Sequence, residues 1–274
     1  MAAPIPDEQA ALLAAIVAQP DDDTLRLIYA DFIQEHGDEE QARFIRDSVT
    51  LEWLRDHEDE ERQKRGARLA VTSDRLGSRW LEALGVTGGE PIYDRGMVEG
   101  LIYDGLERFV ADVPMLFARV PVRSITIRDL DLHDRDGLTV LADLPDLLRI
   151  RELRLENGWE PVSADGFERL VTSPHLARLE LLAVQEAQLT DEDVRALDRS
   201  EHLGHLEVLG LAANRLTAAG ALAVLRSPRL PNLRRLGLAY NDIVEDRRRG
   251  SPYLVLRDAL IERFDTTAAL GTNV

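Results

Sequence analysis

The same spacing of leucines, with an asparagine at the same place, occurs twice in this chain, starting at Leu206 and again at Leu233. Leu206-Glu-Val-Leu209-Gly-Leu211-Ala-Ala-Asn214-Arg-Leu216 fits L-x-x-L-x-L-x-x-N-x-L at every fixed position. Leu233-Arg-Arg-Leu236-Gly-Leu238-Ala-Tyr-Asn241-Asp-Ile243 fits it again. An L-x-L triplet is a short strand with alternate side chains on one face. The asparagine turns the chain inward and can hydrogen-bond neighbouring backbone. The remaining residues of each period return as a helix. One such unit cannot bury its leucines alone, so the pattern demands stacking, with strands side by side in a parallel sheet.

Weaker copies are expected upstream. Leu176, Leu179 and Leu181 form one without the asparagine. Ile150, Leu153 and Leu155 form another, with Gly158 where the asparagine would stand. Val122, Ile125 and Ile127, continued by Leu130, form a third, and Val98, Leu101 and Tyr103 read as a terminal strand. Successive starts then fall at Val98, Val122, Ile150, Leu176, Leu206 and Leu233. The connectors repeat as well, since Ser173, Ser200 and Ser227 each precede a leucine by three positions. Thr217 and Thr190 are expected N-caps of return helices. Pro252 to Phe264 reads as an amphipathic helix, with Leu254, Leu256, Leu260 and Ile261 on one side, closing the open end of the stack. The tail from Thr266 to Val274 reads as frayed.

The repeats, from about Val98 to Ile243, resemble the longer leucine-rich repeats of the ribonuclease-inhibitor type. The resemblance implies an α/β fold: a short curved horseshoe with a parallel sheet on the concave side and helices on the convex side. It further implies that the concave sheet binds partners.

Before the repeats, apolar spacing predicts helices over Asp7 to Ala18, Thr24 to His36 and Gln41 to Arg55. Leu12, Leu13, Ile16, Tyr29, Phe32, Phe44, Ile45 and Leu54 are among the residues expected to face inward. Pro20-Asp-Asp-Asp23 breaks the first two helices apart, and Gly37 stops the second. The elements Leu12-Leu-Ala-Ala-Ile16, Arg26-Leu-Ile-Tyr-Ala-Asp31, Glu35-His-Gly-Asp38 and Ala42-Arg-Phe-Ile-Arg46 resemble a bacterial repeat-companion domain found N-terminal to leucine-rich repeats. That family implies no activity. The expected organisation is therefore a small all-α domain over residues 1–56, a connecting helical region over 57–97, and a repeat domain over 98–274. Arg79-Trp80-Leu81 and Asp94-Arg-Gly96-Met-Val98 look like the entry to the repeats.

Composition narrows function by exclusion. There is no cysteine, so disulfides, thiolate nucleophiles and cysteine-ligated metals are excluded. The net charge of −17 opposes binding to a phosphate backbone. Most of it lies between Met1 and Glu60, where acidic residues far outnumber arginines; this favours solubility or steering toward a basic partner. No 18-residue apolar run occurs, and residues 1–7 do not read as a signal peptide, so a cytoplasmic, non-membrane, monomeric protein is expected. Asp21, Asp22 and Asp23 lack the spacing of a calcium loop and are expected to cap a helix. Tyr29 is expected in the core and Asp31 as a buried or interdomain acceptor. His202 and His205 have no third ligand in sight. No phosphate loop, nucleophile elbow or dinucleotide fingerprint is present. No catalytic, cofactor or metal residue is therefore assigned.

The expected site is a protein-binding face made of the outward strand positions, to which Glu99 also belongs. Its candidate residues are Arg128, Arg154, Glu156, Trp159, Arg178, Glu180, Arg235 and Tyr240, because arginines and aromatics are the usual interface anchors. The expected register puts Arg154 beside Glu180 and Glu152 beside Arg178. The partner is an unidentified protein. The alternative is a regulator of an enzyme, such as a GTPase activator of the leucine-rich-repeat type, for which Arg123 and Arg128 are the candidate arginines.

Overall fold

A computed structural model describes residues 7–53, 60–76, 79–131, 136–267 and 270. It is an α/β protein whose strands are mostly parallel. Leu54, expected in the core, and the expected frayed tail at 268–269 and 271–274 lie outside the described residues. No helix among the described residues is long and apolar enough to cross a membrane. The chain divides into two compact units, Met1–Tyr103 with Arg108–Arg123, and Asp104–Glu107 with Ser124–Val274.

The first unit opens with α1 (Asp7–Ala18), α2 (Asp23–Glu35) and α3 (Glu39–Trp53). These bounds lie close to those predicted. Leu13, Ile16, Tyr29, Phe32, Ile33, Phe44 and Ile45 are buried, as their spacing requires. Asp22 caps α2 by accepting from the Thr24 amide at 2.9 Å. Asp21 pairs with Arg123 at 2.7 Å, and Asp23 with Arg95 at 3.5 Å. Tyr29 is core, its hydroxyl accepting from Gln9 Nε2, and burial pushes its phenol up. Asp31 is not buried: it is 69% exposed and pairs with Arg46 at 2.6 Å.

Helices α4 (Glu60–Leu76) and α5 (Arg79–Leu84) follow. The unit is not purely helical. Strand β1 (Glu90–Asp94) pairs antiparallel with β2 (Met97–Tyr103). The two are joined by a tight two-residue turn, because Asp94 faces Met97 across the ladder. Arg95 and Gly96 both hold positive φ, at 45° and 77°, which is the backbone that matches the twist of a two-residue hairpin. Strand β1 is not legible in the sequence, because Ile92 and Tyr93 are adjacent and follow Pro91, so apolar and polar residues do not alternate along it. Helix α6 (Leu106–Arg119) comes next.

Glu99, expected on the open face, is instead 5% exposed and sits among arginines. Arg26, with no exposed side-chain surface, donates to it through Nη2 and to the Pro20 carbonyl through Nη1 at 2.5 Å. Arg95 Nη2 donates to both Glu99 oxygens at 3.1 Å, and Arg123 Nε lies 3.5 Å away. Burial pushes the Glu99 carboxyl up, against the pull of Arg26, Arg95 and Arg123. Burial likewise pushes the Arg26 guanidinium down, against the pull of Glu99. For Arg95, burial pushes the guanidinium down, but the charge and hydrogen bond of Glu99 together with Asp94 and Asp23 outweigh it, and the guanidinium is raised.

The second unit is a parallel sheet: β3 (Ser124–Ile127), β4 (Glu152–Glu156), β5 (Leu181–Gln185), β6 (Val208–Gly210) and β7 (Arg235–Gly237), each beside the next in chain order. Each connection carries a helix: α7 (Gly137–Ala142), α8 (Ala164–Thr172), α9 (Asp191–Val194) and α10 (Ala218–Arg226). The return helix expected after the Thr190 cap is α-helical only to Val194 and continues as a 3-10 turn over Arg195–Arg199. The final helix, α11 (Pro252–Phe264), packs on α10 and buries Leu256 and Leu260, while Ile261 stays 45% exposed.

The helix starts form an evenly spaced column: Asp136, Ser163, Thr190 and Thr217. Side chains also link one start to another. Ser163 donates to the Asp136 carboxylate, and Asp191 accepts from both the Thr217 amide at 2.8 Å and the Thr217 hydroxyl at 2.6 Å. Glycine at Gly220 makes room for this, since a Cβ there would fall inside the Asp191 carboxylate. Helix propensity alone would make Gly220→Ala stabilising by up to about 1 kcal/mol. We expect it instead to destabilise by about 1–2 kcal/mol through overpacking, measured as a lowered urea midpoint.

Candidate functional site

The sheet of the second unit has two unlike faces. Ile125, Ile127, Leu153, Leu155, Leu182, Val184, Leu209 and Leu236 point into the core, each at most 3% exposed. The alternate positions form the other face: Ser124 and Thr126, then Glu152, Arg154 and Glu156, then Leu181, Ala183 and Gln185, then Val208 and Gly210, then Arg235 and Gly237. Adjacent strands step forward in chain order, and crossovers between parallel strands keep one hand. The return helices therefore share one side of the sheet.

Register corrects the expectation for β5. Glu152 faces Leu181 and Arg154 faces Ala183, so Arg154 is not beside Glu180, nor Glu152 beside Arg178. The unit begins at Leu179, not Leu176, and its inward residues are Leu179, Leu182, Val184 and Ala187, all buried. Arg178 and Glu180 are exposed residues that precede the strand. Glu180 pairs with Arg151, and Arg154 with Glu152 at 2.7 Å. The signal was in the connectors, because Ser173, Ser200 and Ser227 stand at one constant distance before Leu179, Leu206 and Leu233. Spacing by that serine column gives the right register.

The shift changes what the middle of the face is made of. In place of alternating charges, Leu181, Ala183 and Val208 form one apolar cluster that is itself buried, continued by the buried Gly210 and Gly237. Charged residues flank it: Arg154 and Glu156 on one side, exposed Arg235 on the other. Arg128 is half exposed and pairs with Asp104 at 3.3 Å. Arg123, the other arginine considered for a regulatory role, is engaged by Asp21 and Glu99. Trp159 and Tyr240 are 52% and 76% exposed, beyond the ends of β4 and β7.

Asparagines position the loops that follow the strands. Asn214 is 3% exposed; its Oδ1 accepts from the Ala187 and Leu189 amides, and its Nδ2 donates to the Val184, Leu211 and Ala212 carbonyls. Asn241 repeats this less completely, accepting from Leu216 and donating to Leu211, Leu238 and Ala239. Upstream, Asn157 accepts from the Leu130 amide at 3.2 Å and donates to the Glu160 carbonyl. The asparagine expected to be missing at Gly158 is thus supplied one residue earlier.

No group of three or more metal-ligating side chains is found among the described residues. No family model matches the chain, and no curated protein matches it.

Proposed function

We propose that residues 98–274 are a leucine-rich-repeat solenoid, preceded by a repeat-companion domain, and that the sheet face turned away from the leucines binds a protein partner without catalysis. What carries this is the one-sidedness of the sheet. The return helices share one side of the sheet, and the face opposite the inward leucines carries the charged residues Arg154, Glu156 and Arg235. Leu181, Ala183 and Val208 are themselves buried, so the side chains this face offers a partner are the exposed Arg235 and the half-buried Arg154 and Glu156 around them, and arginine is a usual interface anchor. A net charge of −17 disfavours nucleic acid as the partner.

The test is affinity capture with mass spectrometry, comparing the wild-type protein with Arg154→Glu/Arg235→Glu. Arg169→Glu/Arg199→Glu, on α8 and the 3-10 turn after α9, serves as the control on the helix side. We expect the face variant to lose its specific partner by tenfold or more, about 1.4 kcal/mol, and the control to keep it. Equal recovery by both variants would refute the proposal.

A further inference from the structure

Trp159, Glu186, Ala213 and Tyr240 recur at one constant interval, one in each repeat. All four hold left-handed backbone, with φ of 69°, 52°, 54° and 56°. Large side chains adopt this conformation only where neighbours over-determine it. The neighbours are present. The Trp159 amide donates to the Glu186 carbonyl at 2.8 Å, the Glu186 amide to Ala212 at 3.4 Å, and the Ala213 amide to Ala239 at 2.8 Å. Gln188 Nε2 donates to the Trp159 carbonyl at 2.5 Å. The four residues therefore form one row along the strand ends. At the usual spacing of about 4.8 Å per strand, the row places Trp159 and Tyr240 about 14 Å apart.

The row ends in two exposed aromatic side chains, with the half-buried Glu186 and the buried Ala213 between them. Its immediate surroundings are acidic. Glu156 and Glu160 flank Trp159, and Asp242 follows Tyr240, while Arg215 lies two residues beyond Ala213 and Arg247, Arg248 and Arg249 stand further along the last loop, two of them paired with Glu245 and Asp246. None of Glu156, Glu160, Glu186 and Asp242 takes part in an ion pair among the described residues, whereas the acidic residues at the strand starts, Glu152, Glu180 and Glu207, all do. Indole and phenol faces attract cations, and carboxylates accept charge-assisted hydrogen bonds from guanidinium and ammonium groups.

We infer that this rim binds an extended, basic segment of a partner protein, with arginine or lysine side chains seated against Trp159, Glu186 and Tyr240. An extended chain advances about 3.3 Å per residue, so roughly five residues span the row and alternate side chains meet it. The inference rests on the repeat sheet being a protein-binding platform, and it names the chemistry of the partner.

The probe is a labelled Gly-Arg-Gly-Arg-Gly-Arg-Gly peptide, compared with the same peptide carrying neutral citrulline for arginine. Binding is read by fluorescence anisotropy at low salt and by quenching of the exposed Trp159. The arginine peptide should bind at least about tenfold more tightly than its neutral counterpart. Trp159→Ala and Tyr240→Ala should each weaken it about fivefold, and Glu186→Gln about threefold. Glu201→Gln and Glu262→Gln remove the same charge elsewhere on the surface and should leave affinity unchanged. Circular dichroism of each variant establishes that it is folded. Equal affinity for the two peptides, or equal loss in the remote variants, overturns the rim assignment. If that happens while Arg154→Glu/Arg235→Glu still loses the captured partner, the rim falls and the sheet face stands. A peptide bound at the rim together with undiminished capture by that variant gives the reverse.

Discussion

Arg26→Ala should lower the stability of the protein by about 3–5 kcal/mol, the range for removing one partner of a buried ion pair. Arg26 has no exposed surface, and its head group spans Glu99 and the Pro20 carbonyl. Truncation leaves a cavity, an unpaired carbonyl, and a buried carboxylate with only Arg95 and Arg123 beside it. Arg26→Met should cost roughly half as much, since it keeps the volume and removes a charge that burial disfavours. The pH dependence follows from Glu99, whose carboxyl burial raises above 4.5. A raised carboxyl binds its proton more tightly in the folded state. Its contribution to stability is therefore fully present below the ordinary value and is lost as pH rises through the folded value. Removing Arg26 takes away a charge that holds the carboxyl down, so the deficit of Arg26→Ala should be larger at pH 8 than at pH 5. Urea midpoints at the two pH values measure this. A deficit independent of pH would mean that packing alone is lost.

Asn214→Ala should cost about 3–4 kcal/mol, because backbone groups left buried without partners lose about 1–3 kcal/mol each and relax only in part. Five hydrogen bonds end on this one amide, two from amides and three to carbonyls. Asn214→Asp should be no better, since its carboxylate would face the three carbonyls that the amide now satisfies. Asn241→Ala should cost about 1–2 kcal/mol, as its side chain is only partly buried and water can replace what is lost. Thermal unfolding of the three variants ranks them. Hydrogen exchange should show opening around Leu189 in Asn214→Ala and around Leu216 in Asn241→Ala. Equal loss in the two alanine variants would show that burial does not set the cost.

Much of the core could be read from spacing. Leu209, Leu211, Leu236 and Leu238 are buried as inward rungs, and so are Tyr29 and Ile45 on their helices. The face was harder to read. In the copy around Leu179, leucines occur at 176, 179, 181 and 182, so the apolar pattern admits two frames. Moving from the frame that starts at Leu176 to the one that starts at Leu179 exchanges the two faces. The first frame puts Arg178 and Glu180 on the open face of the strand, and the second puts Leu181 and Ala183 there. Only the asparagine or the serine column breaks the tie, and this copy lacks the asparagine.

Sequence alone decided that this chain builds parallel strands with helical returns, because leucines spaced for a short strand and repeated at a regular period have no way to leave water except against each other. It also decided the capping residues, whose preference is local. Tertiary structure alone decided that Glu99 is buried among Arg26, Arg95 and Arg123, which stand far apart in the chain. The same holds for the row from Trp159 to Tyr240, in which the Trp159, Glu186 and Ala213 amides donate to carbonyls of the following strand's loop. Hydrophobic periodicity is written in neighbouring residues. Charge pairing and backbone conformation at a loop depend on what the rest of the fold brings beside them.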